Sequence, residues 1–401
     1  MSRAALLNFL YRIIYFIEVG WLLIDTIGGY FLNKSEGNSA FNTIIRSIVL
    51  IIILFLFIAD KNVKAKSLPF LLIIFFLILS FCQYILFRFD GLDIDIIFKL
   101  ILLPIFLLLF KTQIEQGRLT QKNVYTILGF NILILAFNIV LSYFNIGFSN
   151  YGINKTGSFV GGTGFFYAGN EVGGVLTVLS CLGLYFYSKK GFGYTILFSI
   201  LFFICSLGLL SKTALISVFL NVVFLILLSN FYRSFLIFIF IAILGLVLQQ
   251  HIAQQISLFW TRISYFASQQ GWETVLLGGQ KRETALGVLS ELLFQKPLLI
   301  LIGHGWTGYT ENNFFDLLEA FGLWGYIFFV IPAIFFFLSI KNTNILKNRK
   351  MLLLVFNCML IFFVSILAGH IIQSAMNSLF LAMLLNFGYY KDLKTDKEVY
   401  A

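Results

Sequence analysis

Charge is scarce in this chain: Asp, Glu, Lys and Arg make up 11% of its 401 residues. A soluble fold of that length cannot cover itself with so little polar surface. Metal-ligand patterns are missing too. No pair of His, Cys or Asp has metal-ligand spacing, and Cys82, Cys181, Cys205 and Cys358 show no obvious pairing. All four sit within or at the ends of apolar runs, where a thiol is a small hydrophobe. The chain also lacks the Gly-Lys-Ser/Thr ending of a nucleotide phosphate loop, a serine-hydrolase elbow, an internal repeat and a low-complexity linker. The formal charge of +10 forms no basic stripe interleaved with exposed aromatics, so nucleic acid is not expected as a partner. Neither a metal nor a cofactor is expected.

What is abundant is hydrocarbon. Hydrophobic residues make up 60% of the chain, and 49 residues are Phe. A bilayer solvates such a composition. Apolar runs appear near 8–32, 41–59, 68–87, 93–110, 124–146, 169–187, 193–209, 212–229, 234–250, 313–339, 351–369 and 371–389. Each approaches the ~20 residues a helix needs to cross ~30 Å of hydrocarbon. The expected fold is all-α, a polytopic membrane bundle of about twelve transmembrane helices. Residues 1–401 form one membrane domain, with one large external loop, 251–312, inside it. Met1 to Leu10 carries no small-residue cleavage site after its apolar stretch, which reads as a retained first span.

One alternate set of turns is basic throughout. It holds Lys61, Lys64 and Lys66; Lys111, Arg118 and Lys122; Lys189 and Lys190; Arg233; Lys341, Lys347, Arg349 and Lys350; and Lys391, Lys394 and Lys397. The intervening turns carry little more than Lys34, Arg88, Lys155 and Lys212. The positive-inside rule then puts both termini in the cytoplasm and the 251–312 loop outside.

That loop gathers Arg262, Glu273, Lys281, Arg282, Glu283, Glu291, Lys296, His304 and Glu311. His251 to Ser268 and Glu283 to Gln295 have the apolar spacing of amphipathic helices, suited to an interface or to packing on the bundle. Arg282 can grip a diphosphate with two parallel bonds. Glu311 can accept a proton from a sugar hydroxyl or serve as an ordinary helix cap. His304, between two glycines, can act as a base or simply be solvated.

Elsewhere, Lys212 in Ser211-Lys212-Thr213-Ala214 offers a cation near a helix N-terminus, fit for an anion or for interfacial anchoring. Gly161-Gly162-Thr163-Gly164 leads through Phe165 and Phe166 to Asn170 and Glu171, a weak signal because glycine is common in plain turns. Asp25, Arg46 and Lys99 fall inside apolar runs, where ionisable groups are costly. Arg46 and Lys99 can snorkel to the surface or meet a lipid diphosphate, and Asp25 can pair with either.

In this order the segments resemble the O-antigen polymerase and O-antigen ligase superfamily of bacterial membrane glycosyltransferases, over roughly Gly161 to Tyr389. Gly164-Phe165-Phe166 with Asn170 looks like that family's entry into a span. Ser211-Lys212-Thr213-Ala214 is similar to its Ser-Arg turn, with Lys for Arg. Arg282, Gly287, Leu292, Pro297 and Gly303-His304-Gly305 resemble the stretch from its loop arginine to a Gly-x-Gly turn. Glu311-Asn312, Leu318-Glu319 and Gly322-Leu323-x-Gly325 follow its final-loop motif. Ligases usually place His before that Asn; Glu311 stands there instead, which favours the polymerase branch.

The resemblance implies a GT-C-like bundle in the bacterial cytoplasmic (inner) membrane. Its expected activity is polymerisation of undecaprenyl-diphosphate-linked oligosaccharide repeats into a surface polysaccharide, with no cofactor. Donor and acceptor are both such lipids, membrane lipid surrounds the chain, and a chain-length regulator is a possible further partner. Arg282, with Lys212, Lys155, Arg262 and Lys281, would neutralise the leaving diphosphate. Glu311 would orient or deprotonate the acceptor, and Asn312, Asn170 and His304 would line the sugar site. A ligase transferring a finished glycan is the nearest alternative. A lipid-linked oligosaccharide flippase, from another class, would instead carry charges along a central path.

Overall fold

The computed structural model describes residues 2–34, 41–87, 94–150, 152, 159, 161–228, 297–303, 305, 313–343, 349–367 and 371–393, with scattered positions between 253 and 295. Among these residues the protein is an all-helical bundle apart from one two-stranded hairpin. Seven helices are long and apolar enough to cross a membrane, or eight if one bent pair is counted as a span. Every expected apolar run carries helix except 234–250, which lies outside the described residues.

The helices run α1 (Arg3–Val19), α2 (Trp21–Lys34), α3 (Phe41–Ala59), α4 (Ser67–Phe87), α5 (Ile94–Glu115), α6 (Gln121–Tyr143), α7 (Gly169–Tyr187), α8 (Phe192–Leu209) and α9 (Lys212–Leu228). Then come α10 (Leu298–Ile302), inside the expected 251–312 loop, α11 (Asn313–Phe321), a 3-10 turn (Gly322–Tyr326), α12 (Ile327–Asn342), α13 (Met351–Leu367), α14 (Ala375–Leu385) and a second 3-10 turn (Phe387–Asp392). Side-chain caps start several of them, Thr120 accepting from the Asn123 N–H at 3.2 Å on α6 and Ser374 from the Asn377 N–H at 3.4 Å on α14. Each cap satisfies one of the N–H groups a helix leaves open at its start.

Burial separates centre from periphery. α5 and α7 have 78% and 83% of their apolar windows buried, and all of α14 is buried. In contrast, α3 and α4 are buried over only 28% and 33%. Their outer faces expose large apolar side chains such as Ile51, Ile58, Leu71 and Ile78, the surface that lipid would cover.

Two expected spans take other forms. The first run, 8–32, is not straight: α1 and α2 meet at 60° around Gly20. Asn131 of α6 closes this break, its amide donating to the Glu18 and Val19 carbonyls at 3.0 Å and its oxygen accepting from the Leu22 N–H at 2.9 Å. Helix ends that would otherwise be orphaned in hydrocarbon are thereby satisfied. The last run holds α14, 11 residues long, about 16 Å. It is too short to cross alone and packs at the centre, chiefly on α5 and α7.

The basic turns gather at one end. Arg3 donates to the Ala59 carbonyl, Lys64 pairs with Glu115 at 3.5 Å, and Arg118 reaches Asn8 and stacks over the Tyr11 ring. Lys111 faces Tyr389, Lys189 faces Tyr185, Lys190 faces Tyr125, and Lys350 donates to the Ser188 carbonyl at 3.4 Å. α1 touches this end along its whole length, through Arg3, Asn8, Tyr11 and Glu18, and so lies obliquely across it.

Candidate functional site

Four helices present their N-termini at the other end of the bundle, and polar side chains tie them together. Glu171, in the first turn of α7, accepts from the Ser374 hydroxyl at 2.5 Å. Its backbone carbonyl accepts from the Asn377 amide at 3.2 Å. Gln373, just before α14, donates to the Asn313 carbonyl at 3.1 Å, which joins α11 to the same cluster. α9 joins through Gly173, where a Cβ would lie 3.0 Å from the Ser211 hydroxyl and 3.9 Å from the Ala214 side chain. Each N-terminus contributes unpaired N–H groups and a fraction of positive charge. The first turns of α7 and α11 also carry Glu171 and Asp316, which answer part of that positive charge.

Two of the sequence candidates fall here. Asn170 is exposed one residue into α7, and Lys212 is exposed as the first residue of α9. The contact of Gly173 with Ser211 and Ala214 brings these two first turns together. A two-residue turn, Leu210-Ser211, sets the position of Lys212. Leu210 adopts a left-handed conformation (φ 53°) while buried at 3% exposure, a geometry that costs a non-glycine residue energy and persists only where surroundings impose it. At α7, Ala168 supplies no side-chain cap, so its first N–H groups are not claimed by that residue.

The other candidates, Lys155, Arg262, Lys281, Arg282, His304, Glu311 and Asn312, lie outside the described residues. Glu311 and Asn312 directly precede Asn313 in the chain. Of the long loop, the described positions between 253 and 269 are helical, with Trp260 and Tyr265 exposed and Ala267 buried.

Several buried amides in the cluster have open valences. Asn313 is fully buried, yet neither atom of its side-chain amide has a hydrogen-bond partner. The Gln373 and Asn377 side-chain oxygens are likewise unmatched. Leaving a buried polar atom unpaired costs about 1–3 kcal/mol, so a cluster of them beside four helix N-termini is suited to a polar guest. Sequence reasoning missed Glu171 as a contact, and missed Asn313, Gln373, Ser374 and Asn377. The available signal was the polar sequence Gln373-Ser374-x-x-Asn377 inside an apolar run.

The glycine motifs have packing explanations. Strands β1 (Phe148–Ser149) and β2 (Gly162–Gly164) form the hairpin, with Phe148 opposite Gly164. A Cβ on Gly164 would meet the Asn138 carbonyl at 2.3 Å, and one on Gly162 would meet Ser142 at 2.2 Å. The Asn138 side chain also accepts from the Phe165 N–H at 2.9 Å. Gly303 and Gly322 bind α10 to α11 reciprocally: a Cβ on Gly303 would lie 2.5 Å from Phe321, and one on Gly322 would lie 2.5 Å from Leu301. Gln83 bridges the joint by donating to the Ile302 and Ala320 carbonyls. This clamp fixes the end of the long loop against the bundle.

Arg46 and Lys99 line one cleft, and Asp25, which pairs with Arg46, also lies within electrostatic reach of Glu171. Arg46 turns inward and pairs with Asp25, which is 3% exposed. Simple snorkelling therefore does not describe Arg46. Among the described residues, no group of three His, Cys, Asp or Glu could hold a metal. Neither a protein-family model nor a curated protein matches the chain.

Proposed function

We propose that the protein is a polysaccharide polymerase of the O-antigen polymerase type. It transfers a growing glycan from undecaprenyl diphosphate to a repeat unit carried on a second undecaprenyl diphosphate. In this scheme a GT-C-like bundle of about twelve spans sits in the bacterial cytoplasmic membrane with both termini inside. The observation that carries the proposal is the meeting of α7, α9, α11 and α14 N-termini around Glu171, Ser374 and Gln373, with Lys212 and Asn170 at its edge. It lies at the end away from the lysine-rich turns, which the positive-inside rule places outside the cell.

The chemistry follows from the groups. Undecaprenyl diphosphate leaves as an anion, and the transition state is stabilised by fixed positive charge where that charge develops. Lys212 and the helix N-termini supply it from the bundle, and Arg282 supplies it from the loop. Glu311, two residues before Asn313, serves as the base or orienting carboxylate for the acceptor hydroxyl. Asn170, Asn312, Asn313 and Gln373 bond sugar hydroxyls. The energy comes from cleaving the glycosyl diphosphate bond, so nucleotide is not consumed.

Chain-length gels test the assignment in cells. Arg282→Ala and Glu311→Gln are expected to leave single repeats in place of a ladder. A ladder of normal length and amount in both variants overturns it. Accumulation of finished polymer on undecaprenyl diphosphate would instead mark a ligase.

A further inference from the structure

Helix α10, Leu298-Leu299-Ile300-Leu301-Ile302, holds no polar side chain, although it falls inside the expected external loop. Leu299 is buried, while Leu298, Ile300 and Leu301 are 60%, 38% and 49% exposed. A helix at an aqueous surface turns a polar face to the water; this one turns aliphatic side chains outward.

Its depth can be read from α4, which starts beside the lysine-rich turns and runs towards the opposite end. Gln83 stands about 6 Å along the axis before Phe87, the last residue of α4. The Gln83 amide donates to the Ile302 carbonyl and, at 2.6 Å, to the Ala320 carbonyl. Deeper still, Phe321 meets Phe76 edge-on at 5.0 Å and Trp324 meets Phe75 at 5.2 Å, both near the middle of α4. Gly322 lies between these two contacts, so close to α10 that a Cβ on it would be 2.5 Å from the Leu301 carbonyl. Helix α10 is therefore held alongside the span, not beyond its end.

The backbone is prepared for a dry setting. In hydrocarbon each backbone polar group must find its partner within the protein. The Ile300 N–H donates to the Pro297 carbonyl at 3.1 Å, and the Gly303 N–H to the Leu299 carbonyl at 2.8 Å. The Ile302 and Ala320 carbonyls lie at helix ends, where intrahelical partners run out. At a wet surface water would satisfy them; here the side chain of Gln83, itself 4% exposed, serves both.

The exposed face of α10 is also continuous with the lipid-facing side of the bundle. Leu323 and Trp324, on the turn packed against α10, are each 49% exposed. Trp324 rests on Phe75, and the neighbouring α4 residues Leu71, Ile74 and Ile78 face outward.

We propose that residues 297–303 form a re-entrant element that dips into the half of the bilayer away from the lysine-rich end. Leu298, Ile300 and Leu301 rest against its acyl chains. The partner is bulk hydrocarbon, not a headgroup and not a second protein. The positive-inside rule makes this half the outer leaflet. Part of the expected external loop is thus embedded in the membrane, whatever reaction the protein catalyses.

Spin labels on Leu298→Cys and Leu301→Cys, in full-length protein held in phospholipid nanodiscs, test this placement. Both positions are exposed, so folding should survive the change. The background carries Cys82→Ala, the other three cysteines being buried. Collisions of the label with oxygen, which partitions into hydrocarbon, are compared with collisions with a nickel chelate, which stays in water. Leu71→Cys on α4 is the lipid reference and Lys64→Cys, at a side chain 80% exposed, the aqueous one. At both α10 positions the oxygen-to-nickel ratio is expected to match that at Leu71→Cys and to exceed that at Lys64→Cys several-fold. A ratio equal to the aqueous reference would put α10 in water and overturn the proposal. Collisions with neither reagent would mean that protein covers this face, either the long loop or a second copy, and would overturn it equally.

Discussion

The two ends of this bundle are built from similar helix ends and polar side chains, but they settle them differently. At the lysine-rich end several cations are engaged, while Glu18, Gln113 and Asn386 each keep one unmatched buried oxygen. Lys111, Lys189 and Lys190 face aromatic rings, Lys350 and Arg3 hold carbonyls, and Asp60 accepts from Tyr11, Gln116 and the Asn62 N–H. At the opposite end, the buried amides of Asn313, Gln373 and Asn377 retain unmatched atoms. A closed polar network rigidifies a fold, whereas an open one has capacity left for a guest. The difference is one of degree and of place: Asn313 has both side-chain amide atoms unmatched where four helix N-termini meet, whereas Glu18, Gln113 and Asn386 each lack one partner.

The sharpest way to break this contrast is to remove chemistry from one end and find it unaffected. Glu311→Gln and Arg282→Ala should each lower polymer synthesis about a hundredfold or more, the usual scale for a lost general base or charge stabiliser. Lys190→Gln, at the lysine-rich end, should leave synthesis near wild type; gels of surface polysaccharide at matched protein levels provide the reading. Lys212→Gln should reduce synthesis by about tenfold, one charged contact in a shared site.

Stability gives the next largest effect. Ser374→Ala removes both the cap of α14 and the bond to Glu171, and should cost about 1–3 kcal/mol in detergent unfolding. Acid should then act on the lysine-rich end. Burial would raise the pKa of Asp60, but the Asn62 N–H, Gln116, Tyr11 and Arg118 outweigh it and hold the carboxyl below its ordinary value. A carboxylate depressed in the folded state adds stability above its unfolded pKa, about 3.9, and loses it as pH falls through the folded value. Unfolding midpoints measured between pH 6 and pH 3 should therefore fall less steeply in Asp60→Asn than in the wild type. The smallest change is expected for Lys64→Ala. Lys64 is 80% exposed in its pair with Glu115, and such pairs contribute below about 1 kcal/mol.

Much of the fold was legible because a bilayer imposes length and composition on each crossing. The runs 41–59 and 169–187 coincide with α3 and α7 to the residue. The bend at Gly20 was not legible, since it depends on Asn131, more than a hundred residues away, closing the gap in the backbone. The short α14 was hidden for a related reason: apolar residues beyond Leu385 continue the run while the backbone tightens into a 3-10 turn. Composition does not distinguish a crossing helix from a central one. At the site, Lys212 and Asn170 could be named from local pattern, but the bond from Ser374 to Glu171 spans 203 positions and no local pattern encodes it. The glycines of both motifs were visible; that they serve close backbone packing at Asn138, Phe321 and Leu301 required the fold.

The most direct measurement is the product pattern formed by purified protein from a synthetic undecaprenyl-diphosphate repeat unit, with neither nucleotide nor metal added. The wild type and Lys190→Gln should build a ladder of glycan lengths on the lipid, and Glu311→Gln should return the single repeat unchanged. Folded wild-type protein that yields no ladder, or a loss in Lys190→Gln equal to that in Glu311→Gln, would contradict the placement of glycosyl transfer at the end where the four helix N-termini meet.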